Sequence, residues 1–317
     1  MTKRLKLFTH DDLDGVGCAI IGKILAEEIK VYSSLGLEIC SYSNINERVA
    51  EYLDKPYIAN DHLVITDISV NNEVAEKIND MKMLKNLFDH HKSAIKLEKY
   101  VWCDISKEED TPRESGTSMF FNYAKEELKE KLDARVFRIL EEFVILVRNY
   151  DTWLWKEIGD IKPKLLNDLL YIKGKENFID DMYKKIVMGV ELFNHTDRET
   201  LEKRQKEIEE YINIKEKYLV GVNIKGLDAG VIFAEKHISE LANTLCERHN
   251  EYHLVAVING NKVSFRTTRN DIELDKLAKE YGGGGHKKSS GFILSPEQMS
   301  KGLSRIFNDD NWGRFNC

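Results

Sequence analysis

The stretch Lys6-Leu-Phe-Thr-His-Asp-Asp-Leu-Asp-Gly15 decides how this chain folds. An apolar run ends here in one histidine and three aspartates, and a glycine and an apolar segment with helical spacing follow. This pattern predicts a buried strand that carries carboxylates to its C-terminal end, where open α/β sheets place their ligand sites. The alternative is an acidic turn that caps the next helix, which would be the better interpretation of an isolated Asp-x-Asp. Carboxylates packed this closely repel one another, and a divalent cation would offset that repulsion.

The composition indicates a compact protein with room for two domains. The 317 residues are 42% hydrophobic and include four prolines. The apolar runs are short and broken by charge, so we expect neither a membrane span nor a signal segment. The net charge of −7 argues against a general binder of long duplex DNA. Five cysteines without paired spacing exclude a zinc ribbon and favour a reducing compartment, so we expect a cytoplasmic enzyme or ligand-binding protein.

Two later apolar segments also end in acidic or imidazole side chains. Asp67 follows one predicted strand, and Asp89-His90-His91 ends another. The alternation of strands and helices predicts a mostly parallel sheet, in which such strand ends lie side by side. Asp151, at the end of a long apolar helix, is either a turn residue or a further ligand, and the neighbouring cluster favours the ligand. The first half of the chain therefore predicts a cluster of carboxylates and imidazoles at one edge of the sheet.

The second half contains a run of four glycines before His286. A helix end needs only one glycine, whereas a run of backbone N–H groups can surround an anion. Residues 262–288 hold seven Lys or Arg against four Asp or Glu, in a chain whose net charge is negative. We therefore predict a phosphate-binding segment; the alternative is a flexible surface turn with solvated lysines.

These motifs resemble those of a known superfamily. His10-x-Asp12-x-Asp14-Gly, Asp67 after a strand, Asp89-His90-His91 and Asp151 in Tyr-Asp-Thr-Trp resemble, in order, the four motifs of the DHH phosphoesterases. Ser264-Phe-Arg266, then a helix and Gly-Gly-Gly-Gly-His, is similar to the DHH-associated C-terminal domain that binds substrate in that superfamily. The resemblance is to the oligoribonuclease (nanoRNase) and cyclic-nucleotide phosphodiesterase branch, with a RecJ-like first motif.

The resemblance implies an α/β fold in three parts. An N-terminal catalytic domain (1–155) would contain a mostly parallel sheet flanked by helices. A helical connector (156–219) would join it to a smaller, mixed α/β, DHH-associated domain (220–317). The active site would lie in the cleft between the two domains.

The resemblance also implies a site with two ions per subunit and a two-metal mechanism, and the mixed Asp and His ligands suit Mn²⁺. His10, Asp12 and Asp67 would hold one ion, and Asp14, Asp67, His90 and Asp151 the other. The implied catalytic residues are Asp67 as the bridge between the ions, Asp89, His90 and His91. Asp89 would orient a histidine, and His91 would face the substrate phosphate. The implied substrate-binding residues are Ser264, Arg266, Gly283, Gly284, Gly285 and His286.

These residues predict a phosphodiesterase that hydrolyses short oligoribonucleotides to mononucleotides. A cyclic mononucleotide phosphodiesterase and a phosphatase of the pAp type remain alternatives, and an inert nucleotide-binding regulator is a third. The expected partners are short RNA or small nucleotides, without a membrane or a stable long nucleic acid. A homodimer is compatible with the sequence, which does not fix the oligomeric state.

Overall fold

The computed structural model describes residues 3–56, 59–107 and 111–308. The chain divides into two compact units, Met1–Leu201 and Glu202–Cys317. Each unit contains its own β-sheet. The predicted division into three parts stays a prediction, and residues 309–317 of its last part lie outside the described residues.

The first unit is built on a five-stranded sheet in the order β2-β1-β3-β4-β5. All four neighbouring pairs are parallel, which confirms the predicted parallel sheet. Its strands are β1 (Arg4–Thr9), β2 (Leu35–Ile39), β3 (Asp61–Thr66), β4 (Leu84–Asp89) and β5 (Cys103–Ile105). β1 and β3 are buried along almost their whole length, as central parallel strands are when helices cover both faces.

Helices cover both faces of this sheet. The helices of the first unit are α1 (Leu13–Lys23), α2 (Ile45–Leu53), α3 (Asn72–Asp80), α4 (Gly116–Lys131), α5 (Ala134–Asp151), α6 (Leu154–Ile158), α7 (Lys162–Lys173) and α8 (Lys175–Val187). Because side chains alternate along a strand, Leu5 and Leu7 of β1 join one hydrophobic core and Phe8 joins the other. The first core includes side chains of α1, α4, α5, α7 and α8, and the second includes side chains of α2 and α3.

The second unit contains a mixed six-stranded sheet in the order β10-β11-β9-β8-β7-β6. Its strands are β6 (Val220–Ile224), β7 (Leu227–Phe233), β8 (Leu254–Asn259), β9 (Lys262–Arg266), β10 (Gly284–His286) and β11 (Ser289–Ile293). The pair β7–β8 is parallel and the other pairs are antiparallel, which confirms the predicted mixed domain. Its helices are α10 (Ile238–Arg248), α11 (Leu274–Lys279) and α12 (Pro296–Asn308).

A long charged helix, α9 (His195–Lys215), contains the point at which the two units divide. It lies within the part of the chain predicted to be a helical connector. Its Leu201 belongs to a core of the first unit, whereas Ile208 and Ile212 belong to a core of the second. Within the described part of the chain, no helix combines the length and apolarity needed to cross a membrane.

Candidate active site

The predicted ligands lie at the carboxyl ends of adjacent strands. His10 follows β1, Asp67 follows β3, and Asp89 ends β4. In the strand order of this sheet, the chain leaves β1 toward β2 and leaves β3 toward β4, in opposite directions, so a crevice opens between β1 and β3. This topology explains why residues far apart in sequence come together here.

A first group of possible metal ligands consists of His10, Asp12 and Asp67, whose ligand atoms lie within 4.8 Å of one another. The Nδ1 atom of His10 is 2.9 Å from Asp12 Oδ2 and 3.7 Å from Asp67 Oδ2. Asp67 itself has a φ of 58°, in the left-handed region that aspartate tolerates better than most residues. Such backbone strain is typical of functional sites, where the surrounding structure enforces it.

A second group consists of Asp14, His90 and Asp151, and a third of Asp67, His90 and His91. The Nε2 atom of His90 is 3.2 Å from Asp151 Oδ2, 3.3 Å from Asp67 Oδ1 and 3.7 Å from Asp14 Oδ2. The groups therefore overlap at Asp67 and His90. The structure brings all six predicted ligands together, and their role as ligands stays a prediction.

The N-terminus of α4 fixes the carboxylate of Asp14. The backbone N–H of Gly116 donates to Asp14 Oδ2 at 2.6 Å, and that of Thr117 donates to Oδ1 at 2.9 Å. A Cβ atom on Gly116 would lie 2.6 Å from the Cβ of Asp67, so only glycine allows this approach. Sequence reasoning missed Gly116. The side chains of the neighbouring Ser115, Thr117 and Ser118 are buried and hydrogen-bonded within the protein.

Asp89 positions His91. One oxygen, Oδ1, accepts hydrogen bonds from the backbone N–H of His91 at 3.0 Å and from its Nδ1 at 2.8 Å. Burial opposes the charged form of His91, but this hydrogen bond and the charges of the nearby carboxylates together outweigh burial and raise the pKa of His91. The Nδ1 side of the ring is thus engaged by Asp89, and the Nε2 side remains for another partner.

The cluster is electrostatically incomplete without a cation. Burial, and then the neighbouring carboxylates of Asp14 and Asp12, raise the pKa of Asp67 well above its usual range. The same causes raise the pKa of Asp151 to about 8. The Oδ2 atoms of Asp67, Asp89 and Asp151 are buried without a hydrogen-bond partner. Buried oxygens of this kind cost free energy unless something compensates them, and hard divalent cations bind such oxygens.

An aromatic residue that sequence reasoning missed lies against this cluster. The ring centroid of Tyr42 is 4.8 Å from that of His10 and 6.1 Å from that of His91. Its side chain is 54% exposed, so one face of the ring remains open to solvent. The only sequence signal is its place shortly after β2, an edge strand whose neighbour β1 carries the acidic motif.

The second unit contains a separate cavity of about 310 Å³. Ser264 and Arg266 of β9 line it together with Gly284 and Gly285 of β10. β11 lies between these strands and pairs Gly291 with both Ser264 and Gly284. Four of the six predicted substrate-binding residues therefore line one cavity, and their role in binding substrate stays a prediction.

Part of the glycine run is hydrogen-bonded within the protein, and its amides are not all free to surround an anion. The N–H groups of Gly282 and Gly283 donate to carbonyls of α11, at 3.0 and 2.9 Å. Gly285 has a φ of 137°, and a Cβ atom there would lie 2.6 Å from the carbonyl oxygen of Ser289. The amides of Gly282 and Gly283 are thus engaged within the protein. His286 ends β10 opposite Ser289, beside the residues that line the cavity.

Ion pairs offset part of the positive charge of this region. Arg269 pairs with Asp271 at 2.9 Å and Lys279 with Asp275 at 3.6 Å. Lys276 pairs with Glu273, and Lys225 pairs with Glu280 at 2.7 Å. The four acidic residues of 262–288 are therefore compensated locally. Lys262 and Arg266 line the cavity itself, as a site for an anion requires.

Comparison with solved structures shows the fold. The chain is similar to an exonuclease RecJ structure bound to manganese, with 16% identity, a TM-score of 0.55, and coverage of 99% of this chain and 91% of the other. It is also similar to PggH, a pGpG-specific phosphodiesterase from Vibrio cholerae, with 13% identity, a TM-score of 0.53, and coverage of 97% and 100%. Both are α/β proteins of the architecture described above.

Comparison of sequences shows the family. Residues 216–308 match the DHHA1 domain. The chain is 31% identical over 315 residues to the oligoribonuclease NrnB of Bacillus subtilis, covering 96% of this chain and 76% of the relative. This similarity and the matched domain confirm the resemblance and the enzyme class predicted from the motifs. The chain belongs to the nanoRNase-like members of the DHH superfamily, which are hydrolytic nucleases and phosphodiesterases.

Proposed function

We propose that this protein is a Mn²⁺-dependent phosphodiesterase that hydrolyses short oligoribonucleotides to mononucleotides. The observation that carries the proposal is the overlap of the ligand groups at Asp67 and His90, at one edge of the parallel sheet. Overlapping groups of this kind suit a pair of ions joined by a shared carboxylate, which is the arrangement of two-metal phosphoesterases. The similarity to an enzyme named an oligoribonuclease supports the substrate class.

The donor set fits the proposed ions. His10, Asp12 and Asp67 would hold one ion, and Asp14, Asp67, His90 and Asp151 the other. Mixed carboxylate and imidazole donors suit Mn²⁺, and the partnerless buried oxygens of Asp67 and Asp151 would become ligand atoms. When bound, the pair of ions would supply Lewis-acid stabilisation of the charge that develops on the phosphoryl oxygens.

Side chains and backbone amides of the protein would orient the substrate phosphates and the proposed ligands. Asp89 fixes His91 through Nδ1, which leaves Nε2 to donate a hydrogen bond to a phosphate oxygen. The amides at the start of α4 keep Asp14 in place, so this carboxylate does not have to reorganise during the reaction. In the second unit, Arg266 and its cavity would bind a further phosphate of the same substrate.

The charge distribution favours short substrates. The chain carries a net charge of −7, which would repel a long polyanion. A local cationic cavity can still bind one terminal phosphate. We also propose a cytoplasmic location and a homodimer. Sedimentation of the purified protein would test the homodimer, and fractionation of cells would test the location.

The experiment that tests the function is hydrolysis of a substrate panel with Mn²⁺ and then with a chelator. The panel contains end-labelled RNA of two to five nucleotides, a long RNA, cyclic AMP and adenosine 3′,5′-bisphosphate. We expect rapid, Mn²⁺-dependent release of mononucleotides from the shortest RNAs. Preference for cyclic AMP or the bisphosphate would instead establish one of the small-nucleotide alternatives. Metal binding without cleavage of any substrate would indicate the inert regulator.

A further inference from the structure

A cleft of about 450 Å³ opens in the first unit beside the cluster. Asp12, a proposed metal ligand, and its neighbour Asp11 form one wall. The turn between α7 and α8 forms the other, through Tyr171, Gly174 and Lys175. This turn lies in the predicted connector, where the sequence shows no motif for chemistry. Because Asp12 belongs both to the wall of the cleft and to the proposed metal site, a ligand in the cleft would touch that site.

The size of the cleft fits one nucleoside. Sites for small molecules in proteins usually have volumes of about 300–1,000 Å³. The cleft lies at the lower end of that range, which excludes a folded nucleic acid but admits one base and its sugar. A substrate whose phosphate is held at the cluster must place an adjoining nucleoside within a few ångströms of it. The cleft is a cavity of suitable size that shares a wall with the cluster.

Tyr171 offers a surface for a base. It lies in the last turn of α7, and its side chain is 71% exposed although the neighbouring Leu170 is buried. Exposed aromatic rings in nucleic-acid enzymes stack on bases and tolerate every base, because each base has a π-face. Tyr171 therefore has the exposure and the chemistry needed to stack on a base that is bound in the cleft.

An ion pair at the same cleft offers a hydroxyl group both a hydrogen-bond acceptor and a hydrogen-bond donor. The Nζ atom of Lys175 is 2.7 Å from Asp11 Oδ2, and both side chains are 43% exposed. A ribose hydroxyl is at once a donor and an acceptor. It can donate to the carboxylate of Asp11 and accept from the ammonium of Lys175. The 2′-hydroxyl is the group by which proteins distinguish RNA from DNA.

We propose that this cleft binds the nucleoside next to the scissile phosphate, with its base on Tyr171 and its 2′-hydroxyl at the Lys175–Asp11 pair. The proposal rests on the proposed function and adds the part of the site that selects RNA. It assigns a role in substrate specificity to the turn between α7 and α8.

The test measures kcat and KM for a 5′-phosphorylated diribonucleotide and for its deoxyribose counterpart, with Mn²⁺. Tyr171→Ala should raise KM for both substrates by about tenfold or more, the usual effect of losing one stacking partner, whereas Tyr171→Phe should retain the wild-type value. Lys175→Met should raise KM for the ribose substrate only, and so reduce the preference for RNA. Lys175→Arg keeps the charge and donors and should restore the preference. Lys184→Met, on the exposed side of α8, is the matched control.

The outcomes separate this proposal from the proposed function. If wild-type protein hydrolyses the diribonucleotide but Tyr171→Ala and Lys175→Met match Lys184→Met, the cleft is not the nucleoside site. An equal loss on both sugars in Lys175→Met would also overturn the hydroxyl assignment. If the wild-type protein hydrolyses neither substrate, the proposed function fails, and this inference fails with it.

Discussion

Two buried aspartates of the first unit, Asp67 and Asp197, have opposite surroundings. Their side chains are 1% and 3% exposed. Asp197 lies between two ammonium groups, with Lys173 Nζ 2.5 Å from Oδ1 and Lys185 Nζ 2.5 Å from Oδ2. The ion-pair partners of Asp67 among the described residues are the histidines of its own cluster, and its other neighbours there are carboxylates.

The difference appears in the pKa of each group. Burial opposes the charge on Asp197, but hydrogen bonds from Lys173 and Lys185 outweigh burial and hold its pKa below the usual range. Burial and neighbouring carboxylates instead raise the pKa of Asp67. Lysines of the protein thus compensate the negative charge of the Asp197 carboxylate. The negative charge of the Asp67 carboxylate is left for a cation from outside the protein to compensate. This contrast is typical of a structural ion pair at Asp197, and it supports the proposed cation site at Asp67.

The largest expected effect is that of Asp67→Asn. Asparagine accepts the left-handed backbone of residue 67, so the fold should survive. Loss of the shared carboxylate should remove several kcal/mol of transition-state stabilisation, and kcat for short RNA should fall by about a thousandfold or more. Kinetics on a diribonucleotide with Mn²⁺ measures this effect. Activity within tenfold of wild type would contradict the assignment of Asp67 as the shared ligand.

The same variant gives a second readout in thermal unfolding. Wild-type protein should gain thermal stability when Mn²⁺ is added, because the ions bind the folded state alone. Asp67→Asn should lose most of that gain, yet be no less stable than wild type in a chelator, because it removes an uncompensated buried carboxylate. If Asp67→Asn is less stable than wild type in the chelator, the Asp67 carboxylate stabilises the fold by itself, as the carboxylate of Asp197 is expected to do.

Asp197→Asn should have the opposite signature and a somewhat smaller effect. Removal of one partner from a buried ion pair costs about 3–5 kcal/mol when it leaves charge uncompensated. Asp181 also pairs with Lys173 at 2.5 Å and with Lys185 at 2.8 Å, which favours the lower end of that range. We therefore expect a loss of about 3 kcal/mol in the free energy of unfolding, measured with urea, with kcat unchanged under native conditions. Glu199→Gln is the control, since Glu199 lies on the same helix but is exposed and pairs with exposed His195. Equal stabilities of the two variants would refute the structural role.

The sequence was sufficient to predict the parallel sheet and the convergence of the cluster. β4 ends at Asp89, in the polar segment where the sequence predicts a strand end, because that segment follows a hydrophobic run directly. Asp151 is the last residue of α5, at the end of a long apolar helix as predicted. Strand ends in a parallel sheet meet at one edge whatever their separation in sequence, so polar residues there were predictable.

Other features depend on contacts that leave no local pattern. β6 was not predicted, because all but one of its five residues are exposed and, among the described strands, it pairs with β7 alone. The bonds from Gly116 and Thr117 to Asp14 join residues about a hundred positions apart. The Lys175–Asp11 pair is likewise a product of tertiary packing. These contacts became visible only when the structure placed α4 and α8 against the first strand end.

Arg266→Ala extends the comparison to the second unit, with an effect of about ten- to a hundredfold. Arg266 lines a cavity instead of a buried cluster, and its guanidinium is held by the Phe265 carbonyl at 2.8 Å and by Ser239 Oγ at 3.2 Å. Loss of a charge-assisted bond to phosphate costs about 1.5–3 kcal/mol. The loss should appear in KM, with kcat retained, because the role proposed for Arg266 is to bind substrate and not to take part in the chemical step. Arg269→Ala, whose arginine pairs with Asp271, is the control. A fall in kcat at constant KM would place Arg266 in the chemical step.

The smallest expected effect is a pH dependence that belongs to Asp197. Its folded pKa lies below the usual value of 3.8, so its contribution to stability is complete above that value and is lost as pH falls through the folded pKa. The difference in unfolding free energy between wild type and Asp197→Asn should therefore be constant near neutral pH and shrink below about pH 4. Urea unfolding of both proteins in a chelator measures it, and the titration of the cluster cancels because the two proteins share it. A difference that persists unchanged to the lowest pH at which both fold would mean that the carboxylate of Asp197 is not held in its ionised form by Lys173 and Lys185.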